Sequence, residues 1–306
     1  VRSYFGSDDR RKIGPMLRET QTISHVMLPD PLTAEIVETR FIGRLLPRYN
    51  RKGTRAAKYC YVKLDTETPW PRLSVVKNPA KQGVHLGPLP SRAMASLVVE
   101  ALHTALPLRR CTKRLGRNYV AADDAPVCSA AQLGVAHCPC SGTADPAEYA
   151  AAVTLAARAI AGDPEHVVIR LRERMARLAA QQRFEEAATT RDRLSALLGA
   201  IRRTELYTAL SDLGHAEVSN GDTTWILAEG ALLDTRTATA LTSALPLGAL
   251  GSIEAGRPVS REHADEALCL ARFFDKHAER LEVSCSGTWR FPIQQNDEIP
   301  PLERAA

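Results

Sequence analysis

The amino-acid sequence predicts an α+β fold that is divided among several small units. Three observations lead to this prediction. Runs rich in branched residues alternate with amphipathic runs in the first 110 residues, which is typical of mixed strands and helices. Two helical patterns separated by a short break follow at 164–206, and a strand-hairpin signal at Asn220-Gly221 precedes a further helix. With 306 residues, the chain can form two or three hydrophobic cores.

The first part of the chain alternates between helical and extended patterns. Each assignment follows the spacing of the apolar residues and the positions of Gly and Pro. We predict helices at 8–20, 32–46 and 92–106, strands at 22–28, 57–64 and 72–77, and a Gly/Pro loop in HLGPLPS at 85–91.

The second part is mostly helical before it returns to strands. Asp145-Pro146 and Asp163-Pro164 each place an N-cap residue before a proline, which signals the start of a helix. We predict an irregular Cys-rich stretch at 111–142, a helix from 145 to about 161, two helices within 164–206, a hairpin in HAEVSNGDTTWILAEG, a helix at 261–278 capped by Ser260, closing segments in RLEVS and TWRFP, and a loose polar tail.

Basic residues are concentrated in one segment. Residues 40–117 hold 17 lysines and arginines against three acids, whereas residues 118–306 hold 18 against 26. This asymmetry predicts a surface for a polyanion, with a solvated basic face as the alternative. No long apolar run or secretory signal occurs, so we expect a cytoplasmic protein without a membrane partner. The odd number of cysteines, seven, favours reduced thiols.

Four cysteines lie in the irregular stretch at 111–142. Their spacing, C-x16-C-x9-C-x-C, supplies enough thiolates for a complete zinc or iron–sulfur ligand shell. The alternative is that they are buried as small hydrophobic residues, and spacing alone leaves both interpretations open. The candidate ligands are Cys111, Cys128, Cys138 and Cys140, while Cys60, Cys269 and Cys285 are interpreted as core residues.

The stretch RMARLAAQQRFEEAATTRDRLSALL at 174–198 contains the most specific motif. In a helical hairpin, Phe184 would anchor the turn, the alanines would allow the helices to approach closely, and the charged residues would cover the outer face. The stretch resembles the UVR motif of bacterial excision repair, whose core reads Phe-Glu-x-Ala-Ala-x-x-Arg-Asp. The matching residues are Phe184, Glu185, Ala187, Ala188, Arg191 and Asp192.

Further segments resemble, in order, the family of the excinuclease UvrC and its shorter Cho-like relatives. They are VRSYF, EIVETRFIGRLLPRYN, PWPRLSVVK, HLGPLPS, PLRRC and DPAEYAAAV, so the resemblance covers about residues 1–205. It implies the C-terminal part of a GIY-YIG nuclease domain at 1–56, a basic α/β extension at 57–110, a Cys-rich linker at 111–142, a helix at 143–163, a UVR hairpin at 164–206, a small α+β C-terminal domain at 207–293 and a tail at 294–306.

The resemblance implies a nuclease site in which a glutamate holds Mg²⁺ or Mn²⁺. Transferred by position, Glu38 is the metal ligand, Tyr4 the phosphate-side tyrosine and Asn50 a neighbouring site residue. Arg40 stands where the family has an asparagine. VRSYF begins in the middle of the pattern, so we expect an N-terminally truncated fragment that is inactive alone. The C-terminal part resembles abbreviated actinobacterial relatives, in which a DEDD exonuclease domain precedes the UvrC-like half.

The resemblance also implies ligands and partners. The four cysteines correspond to ligands of a [4Fe-4S] cluster, with zinc as the second choice, although the last pair is C-x-C where the family has C-x3-C. The expected contacts with damaged duplex DNA are Arg48, Arg51, Lys52, Arg55 and Lys58. The expected contacts with UvrB, the helicase-like component of the excinuclease, are Phe184, Glu185, Ala188, Arg191 and Asp192.

The resulting hypothesis is an endonuclease component of nucleotide excision repair, which incises damaged DNA in the complete protein. The alternative is a non-catalytic adaptor that uses the UVR hairpin and the basic segment to position another nuclease.

Overall fold

A computed structural model describes residues 13–50, 56–116, 119–122, 124–237, 245–254 and 256–293. Helices and antiparallel sheets surround two hydrophobic cores, which confirms the α+β class. The α-helices are α1 (Ile13–Glu19), α2 (Pro31–Leu45), α3 (Arg92–Ala105), α4 (Ser129–Gln132), α5 (Pro146–Ile160), α6 (Glu165–Ala180), α7 (Phe184–Ser211) and α8 (Ala264–His277). The strands are β1 (Cys60–Leu64), β2 (Leu73–Val76), β3 (Val84–Leu89), β4 (Ala216–Ser219), β5 (Thr223–Ala228), β6 (Ala231–Thr237) and β7 (Glu282–Cys285).

The first core lies between a three-stranded sheet and four helices. The strands are antiparallel in the order β2-β1-β3, and α3, α5, α6 and α7 supply the helical side. Val62 and Leu86 of the sheet are fully buried, as are Val98 and Leu102 of α3. Burial of such a side chain stabilises the fold by about 1.5–3 kcal/mol. The apolar face that predicts α3 is therefore the face that covers the sheet.

One strand of this sheet contradicts its sequence pattern. The Gly and Pro residues of HLGPLPS predict a loop, but Val84–Leu89 pairs with β1 as strand β3, so this prediction is wrong. Pro88 lacks an N–H group, and β3 tolerates this because it lies at an edge of the sheet. A register shift between Cys60 and Val62 of β1 accommodates the irregular strand.

A single long helix connects the two cores. α6 and α7 form the predicted hairpin, but α7 has 28 residues and continues to Ser211. Leu194 and Leu197 are buried in the first core, whereas Leu206 and Leu210 are buried in the second. The boundary drawn after residue 206 thus falls inside a continuous helix, because each half of α7 has an apolar face to bury.

The second core rests on a four-stranded antiparallel sheet in the order β6-β5-β4-β7. The hairpin at Asn220-Gly221 is confirmed, because Gly221 has a φ of +93° and the Asn220 side chain accepts a hydrogen bond from the Thr223 N–H at 2.8 Å. RLEVS contributes β7, whereas TWRFP forms no strand and instead places Phe291 in the core.

α8 covers this sheet and begins later than its pattern predicts. The Ser260 hydroxyl accepts a hydrogen bond from the His263 N–H at 3.3 Å, and the helix itself starts at Ala264. Its apolar residues, which include Leu270 and Phe274, are fully buried. α2 packs beside α8 and adds Leu32 and Ile36 to the same core.

The segment before α2 does not form the strand that TISHVML predicts. It lies outside both sheets, and Ile23, Val26 and Met27 are exposed. An alternating pattern forms a strand only where a neighbouring strand and a core are present, and no strand of the described residues pairs with this segment. Of the predicted helix at 8–20, Ile13–Glu19 is confirmed, and residues 8–12 and the tail from 294 lie outside the described residues. No helix in the described part of the chain is long and apolar enough to cross a membrane.

Candidate metal and nucleic-acid sites

Glu38 lies on the exposed face of α2. The Asp30 carboxylate accepts a hydrogen bond from the Thr33 N–H at 3.0 Å and so caps the first turn of this helix. While Ile36 on the opposite face is buried, Glu38 lines a groove of about 860 Å³ between α2 and α8. A Mg²⁺ ion is commonly held by one or two carboxylates, waters and substrate phosphates, so an exposed carboxylate in a groove fits such an ion.

A fully buried ion pair fixes α2 against α8. Arg40 Nε and Nη2 donate hydrogen bonds to the two carboxylate oxygens of Glu266 at 2.9 and 2.5 Å. The remaining donors bind the carbonyl oxygens of Leu232 at 2.5 Å and Leu247 at 2.7 Å. Neither charged side chain has any solvent exposure. The position of Glu38, two residues before Arg40, therefore depends on the C-terminal unit, which is the part of the chain that carries β4 to β7 and α8.

The groove carries charges of both signs. Asp265 of α8 accepts a hydrogen bond from the Tyr59 hydroxyl and lies 4.0 Å from Lys58 Nζ. Burial, together with the neighbouring Glu35, raises the pKa of Cys269 to about 12, so this thiol stays protonated. The charged and titratable side chains that line the groove are Glu35, Glu38, Lys58, Asp265, Cys269, Arg272, Lys276 and His277.

The other residues predicted for the nuclease and for DNA do not share one site. Arg48 forms an ion pair with Glu19 of α1 at 3.2 Å, and its side chain is 76% exposed. The guanidinium group therefore remains accessible for contact with a DNA phosphate. Lys58 lines the groove, whereas Asn50 lies beyond α2, next to Tyr49, whose hydroxyl donates to Glu19 at 2.7 Å. Tyr4, Arg51, Lys52 and Arg55 lie outside the described residues.

The four cysteines of the irregular stretch lie in one continuous chain of contacts. Cys138 Sγ and Cys140 Sγ are 3.3 Å apart. Cys128 hydrogen-bonds to the Cys138 thiol, and Cys111 hydrogen-bonds to the Cys140 thiol. Of the four candidate ligands, the structure therefore brings Cys138 and Cys140 into direct contact, while Cys128 and Cys111 act on the acidity of these two thiols.

The two central thiols differ in acidity. Burial raises the pKa of Cys138, but hydrogen bonds from Cys128, Ser141 and Cys140 outweigh burial and lower it to about 7. Burial and the adjacent Cys138 raise the pKa of Cys140 to about 11. One thiolate at neutral pH is a soft donor that suits zinc or an iron–sulfur cluster.

This donor set fits a soft metal, but the sulfur atoms do not form a closed shell. In the described part of the chain, no group of three or more His, Cys, Asp or Glu side chains is arranged to hold a metal ion. Ligation by all four cysteines would require Cys111 and Cys128 to move towards the central pair.

Two residues around the thiols, Arg109 and Tyr119, have no counterpart in the predicted site. Arg109 is buried and donates hydrogen bonds to the carbonyl oxygens of Trp70 and Lys113, both at 2.8 Å, and to Cys111 Sγ at 3.6 Å. The Tyr119 hydroxyl donates to the Cys140 carbonyl oxygen at 2.8 Å. The only sequence signal for Arg109 is its place in PLRRC, two residues before the first cysteine.

The turn between α6 and α7 is closed by its backbone. Gln182 has a φ of +58°, and the Arg183 N–H donates to the Leu178 carbonyl oxygen at 2.9 Å. Phe184 is 55% exposed, so the prediction that it anchors the turn is wrong. Its ring remains accessible at the tip of the hairpin.

The remaining motif residues divide between the helix contact and the surface. Ala187 is fully buried, which confirms the predicted close approach of the helices, and Ala188 is half-buried. Glu185 is exposed, and the exposed Arg191 and Asp192 pair with each other at 2.9 Å.

Two family models match adjacent parts of the chain. Residues 59–159 match the middle domain of the UvrC/Cho excinucleases, and residues 165–199 match the UvrB/uvrC motif, or UVR motif. In these two segments the chain is similar to the UvrC/Cho excinuclease family. The UvrC/Cho middle domain contains the first sheet, α3, the four cysteines and α5, while the UVR motif is the hairpin of α6 and the first half of α7.

Similar proteins include long members of the family. A Mycobacterium tuberculosis protein, provisionally named a bifunctional exonuclease/endonuclease, is 34% identical over 214 residues, which cover 70% of this chain and 32% of that protein. UvrABC system protein C of Haloarcula marismortui is 32% identical over 214 residues, or 70% of this chain and 35% of the relative. The protein of that name from Syntrophus aciditrophicus is 30% identical over 205 residues, or 66% and 32%. The chain thus spans about a third of these relatives, and no solved structure matches it.

The UvrC/Cho matches leave two site elements uncovered. α2, which carries Glu38, precedes the middle domain, and α8 follows the UVR motif. The groove that they form therefore rests on the structure. The spacing of Arg272 and Lys276, four residues apart on the polar face of a predicted helix, is the sequence signal that could have indicated the second wall.

Proposed function

We propose that the chain is part of a nucleotide-excision-repair endonuclease, in which the complete protein incises damaged DNA. The observation that carries this proposal is the adjacent UvrC/Cho middle domain and UVR motif across residues 59–199. Relatives named UvrABC system protein C support a role in repair. The basic segment at 40–117 suits contact with backbone phosphates, which is independent of sequence and sensitive to salt.

The nuclease step is assigned to a GIY-YIG site to which α2 contributes Glu38. Support comes from its exposure on a capped helix that the Arg40–Glu266 pair holds in place. A bound Mg²⁺ or Mn²⁺ would stabilise negative charge on the scissile phosphate, and Glu38 would hold that ion. Lys58, in the same groove, would neutralise a neighbouring phosphate.

The test compares Glu38→Gln with Glu35→Gln in the complete protein. Both glutamates are exposed on α2 and both line the groove, so Glu35→Gln controls for charge. We expect Glu38→Gln to slow Mg²⁺-dependent incision of a lesion-bearing duplex by roughly 100-fold or more. Equal activity of the two variants would remove Glu38 from the metal site.

The four cysteines are assigned to a soft metal centre, either a [4Fe-4S] cluster or zinc. The distance of 3.3 Å between Cys138 Sγ and Cys140 Sγ is closer to the sulfur–sulfur distance in a zinc site than to that in a cluster. Two thiolates on one zinc ion lie roughly 3.8 Å apart when the Zn–S bonds are about 2.3 Å. A cubane would need the pair to separate further, because each cysteine binds a different iron.

Anaerobic purification with metal analysis and a visible spectrum tests this assignment. A cluster gives a brown protein with sulfur-to-iron charge-transfer absorption, and zinc gives a colourless protein with about one ion per chain. Cys138→Ser should lose the metal, whereas Cys60→Ser, which changes a buried cysteine of β1, should retain it. A colourless, metal-free protein would contradict both versions.

The UVR hairpin is assigned to binding of the helicase-like protein UvrB. Support comes from the exposed Phe184 at the hairpin tip, because exposed aromatic residues are frequent energetic centres of interfaces. Phe184→Ala should weaken binding to purified UvrB by about tenfold or more. Leu233→Ala, which removes an apolar side chain of similar exposure from β6, is the matched control. Equal affinities of the two variants would contradict the assignment.

One observation favours a non-catalytic adaptor as the second candidate. Arg40, in place of the family asparagine, is buried in an ion pair with the C-terminal unit, so α2 has a structural function in addition to any catalytic one. An adaptor would bind DNA and UvrB without incision. Absence of Mg²⁺-dependent cleavage by the complete protein, together with intact binding, would identify the adaptor.

A further inference from the structure

The C-terminal unit supplies a cationic wall to the groove that holds Glu38. Arg272 and Lys276 lie four residues apart on α8, so their side chains leave the same face of the helix. Both are exposed, and neither is paired with a carboxylate among the residues that the structure describes. By contrast, Arg236 and Arg257 of the same unit lie within 3.4 and 2.5 Å of a carboxylate.

The opposite walls of the groove hold complementary chemistry. The Arg40–Glu266 pair ties α2 to α8, so Glu38 and the two cations face a common space of about 860 Å³. Lys58, which lies 4.0 Å from Asp265, adds a third cation, and Glu35 adds a further carboxylate on α2. Unpaired cations would attract phosphate oxygens, and a carboxylate beside them would repel phosphate unless a metal ion neutralised it.

We propose that the groove between α2 and α8 binds the phosphate backbone of DNA, with Arg272 and Lys276 as its phosphate contacts. The choice of DNA as the ligand rests on the proposed function. Binding here would place a phosphate beside Glu38 and would give the C-terminal unit, which neither family match covers, a part in holding the substrate. Because the contacts are to phosphate, they carry no sequence preference.

The test measures binding of the 306-residue chain to a short fluorescein-labelled duplex by anisotropy, in EDTA, from about 50 to 200 mM KCl. The double variant Arg272→Gln/Lys276→Gln should bind about tenfold more weakly or worse, and the slope of log K against log salt should fall by about 1.8 for the two lost contacts. The control is Arg236→Gln/Arg257→Gln, which changes the net charge equally on other surfaces of the same unit. Thermal unfolding of both variants checks that the fold is intact.

Glu38→Gln supplies an independent measurement. Without divalent metal, loss of this negative charge should tighten DNA binding severalfold if the backbone runs through the groove. Equal weakening of the two double variants, or no change in Glu38→Gln, would overturn the groove proposal. Neither outcome bears on cleavage, which is measured separately with Mg²⁺, so failure of the nuclease assignment and failure of the groove are distinguishable.

Discussion

Removal of one partner of the buried Arg40–Glu266 pair is expected to destabilise the second core strongly. Arg40→Met leaves a carboxylate with no solvent exposure and without its cation, and it strips the Leu232 and Leu247 carbonyl oxygens of their donor. Breaking a buried pair in this way costs about 3–5 kcal/mol. A loss of this size is a large fraction of the stability of a small domain, which is about 5–15 kcal/mol.

Urea unfolding followed by tryptophan fluorescence measures the effect. Trp225 and Trp289 belong to the second core and Trp70 to the first, so a Trp70→Phe background reports on the second core alone. With a slope of about 2 kcal/mol per M, a loss of about 4 kcal/mol lowers the midpoint by about 2 M. Arg44→Met, one turn later on α2, removes a single exposed hydrogen bond to the Gly248 carbonyl oxygen and should change stability by less than about 0.5 kcal/mol.

The double variant Arg40→Met/Glu266→Leu separates the cost of an unpaired charge from the value of the pair. Since both charges are then absent, we expect it to recover at least half of the loss seen in Arg40→Met. A midpoint for Arg40→Met equal to that of Arg44→Met would refute the reasoning, because it would show that water reaches Glu266. A double variant no more stable than the single one would show that the unsatisfied carbonyl groups dominate.

Three further perturbations test local features. Asp145→Ala removes an N-cap carboxylate that accepts hydrogen bonds from two N–H groups at 2.7 and 2.9 Å. The free energy of unfolding measured in urea should fall by about 1 kcal/mol, whereas Asp145→Asn should change it little. Burial, aided by Arg110, lowers the pKa of His103 from 6.5 to about 4. The contribution of neutral His103 to stability is therefore complete above pH 6.5 and is lost as the pH falls towards 4. The free energy of unfolding should drop by about 2 kcal/mol between pH 7 and 5, and His103→Phe should remove that part of the pH dependence. Phe274→Ala vacates the centre of the second core and should cost about 3–5 kcal/mol, whereas a cost below about 1 kcal/mol would show that the site collapses.

The elements that were predictable carry their signals within a few residues. The start of α5 at Asp145-Pro146 and the hairpin at Asn220-Gly221 follow from capping and turn chemistry that neighbouring residues satisfy. The predictions for HLGPLPS and TISHVML were wrong because each segment forms a strand only if a strand distant in sequence pairs with it. β3 has β1 as a partner, whereas the other segment has none among the described strands.

The candidate sites show the same division. Spacing and resemblance indicated the four cysteines and the UVR hairpin, and the family matches confirmed the hairpin motif. The exposure of Phe184 and the contact between the Cys138 and Cys140 thiols needed coordinates, because both depend on how backbone turns direct side chains.

Periodicity, capping residues and motif order were enough to establish the class of the fold, most of its helices and the family that residues 59–199 resemble, since each depends on local chemistry or on order along the sequence. The groove between α2 and α8 depends on residues more than 200 positions apart. Arg40 and Glu266 form an ion pair because α2 and α8 bury their apolar faces in the same core. No local sequence pattern predicts this contact.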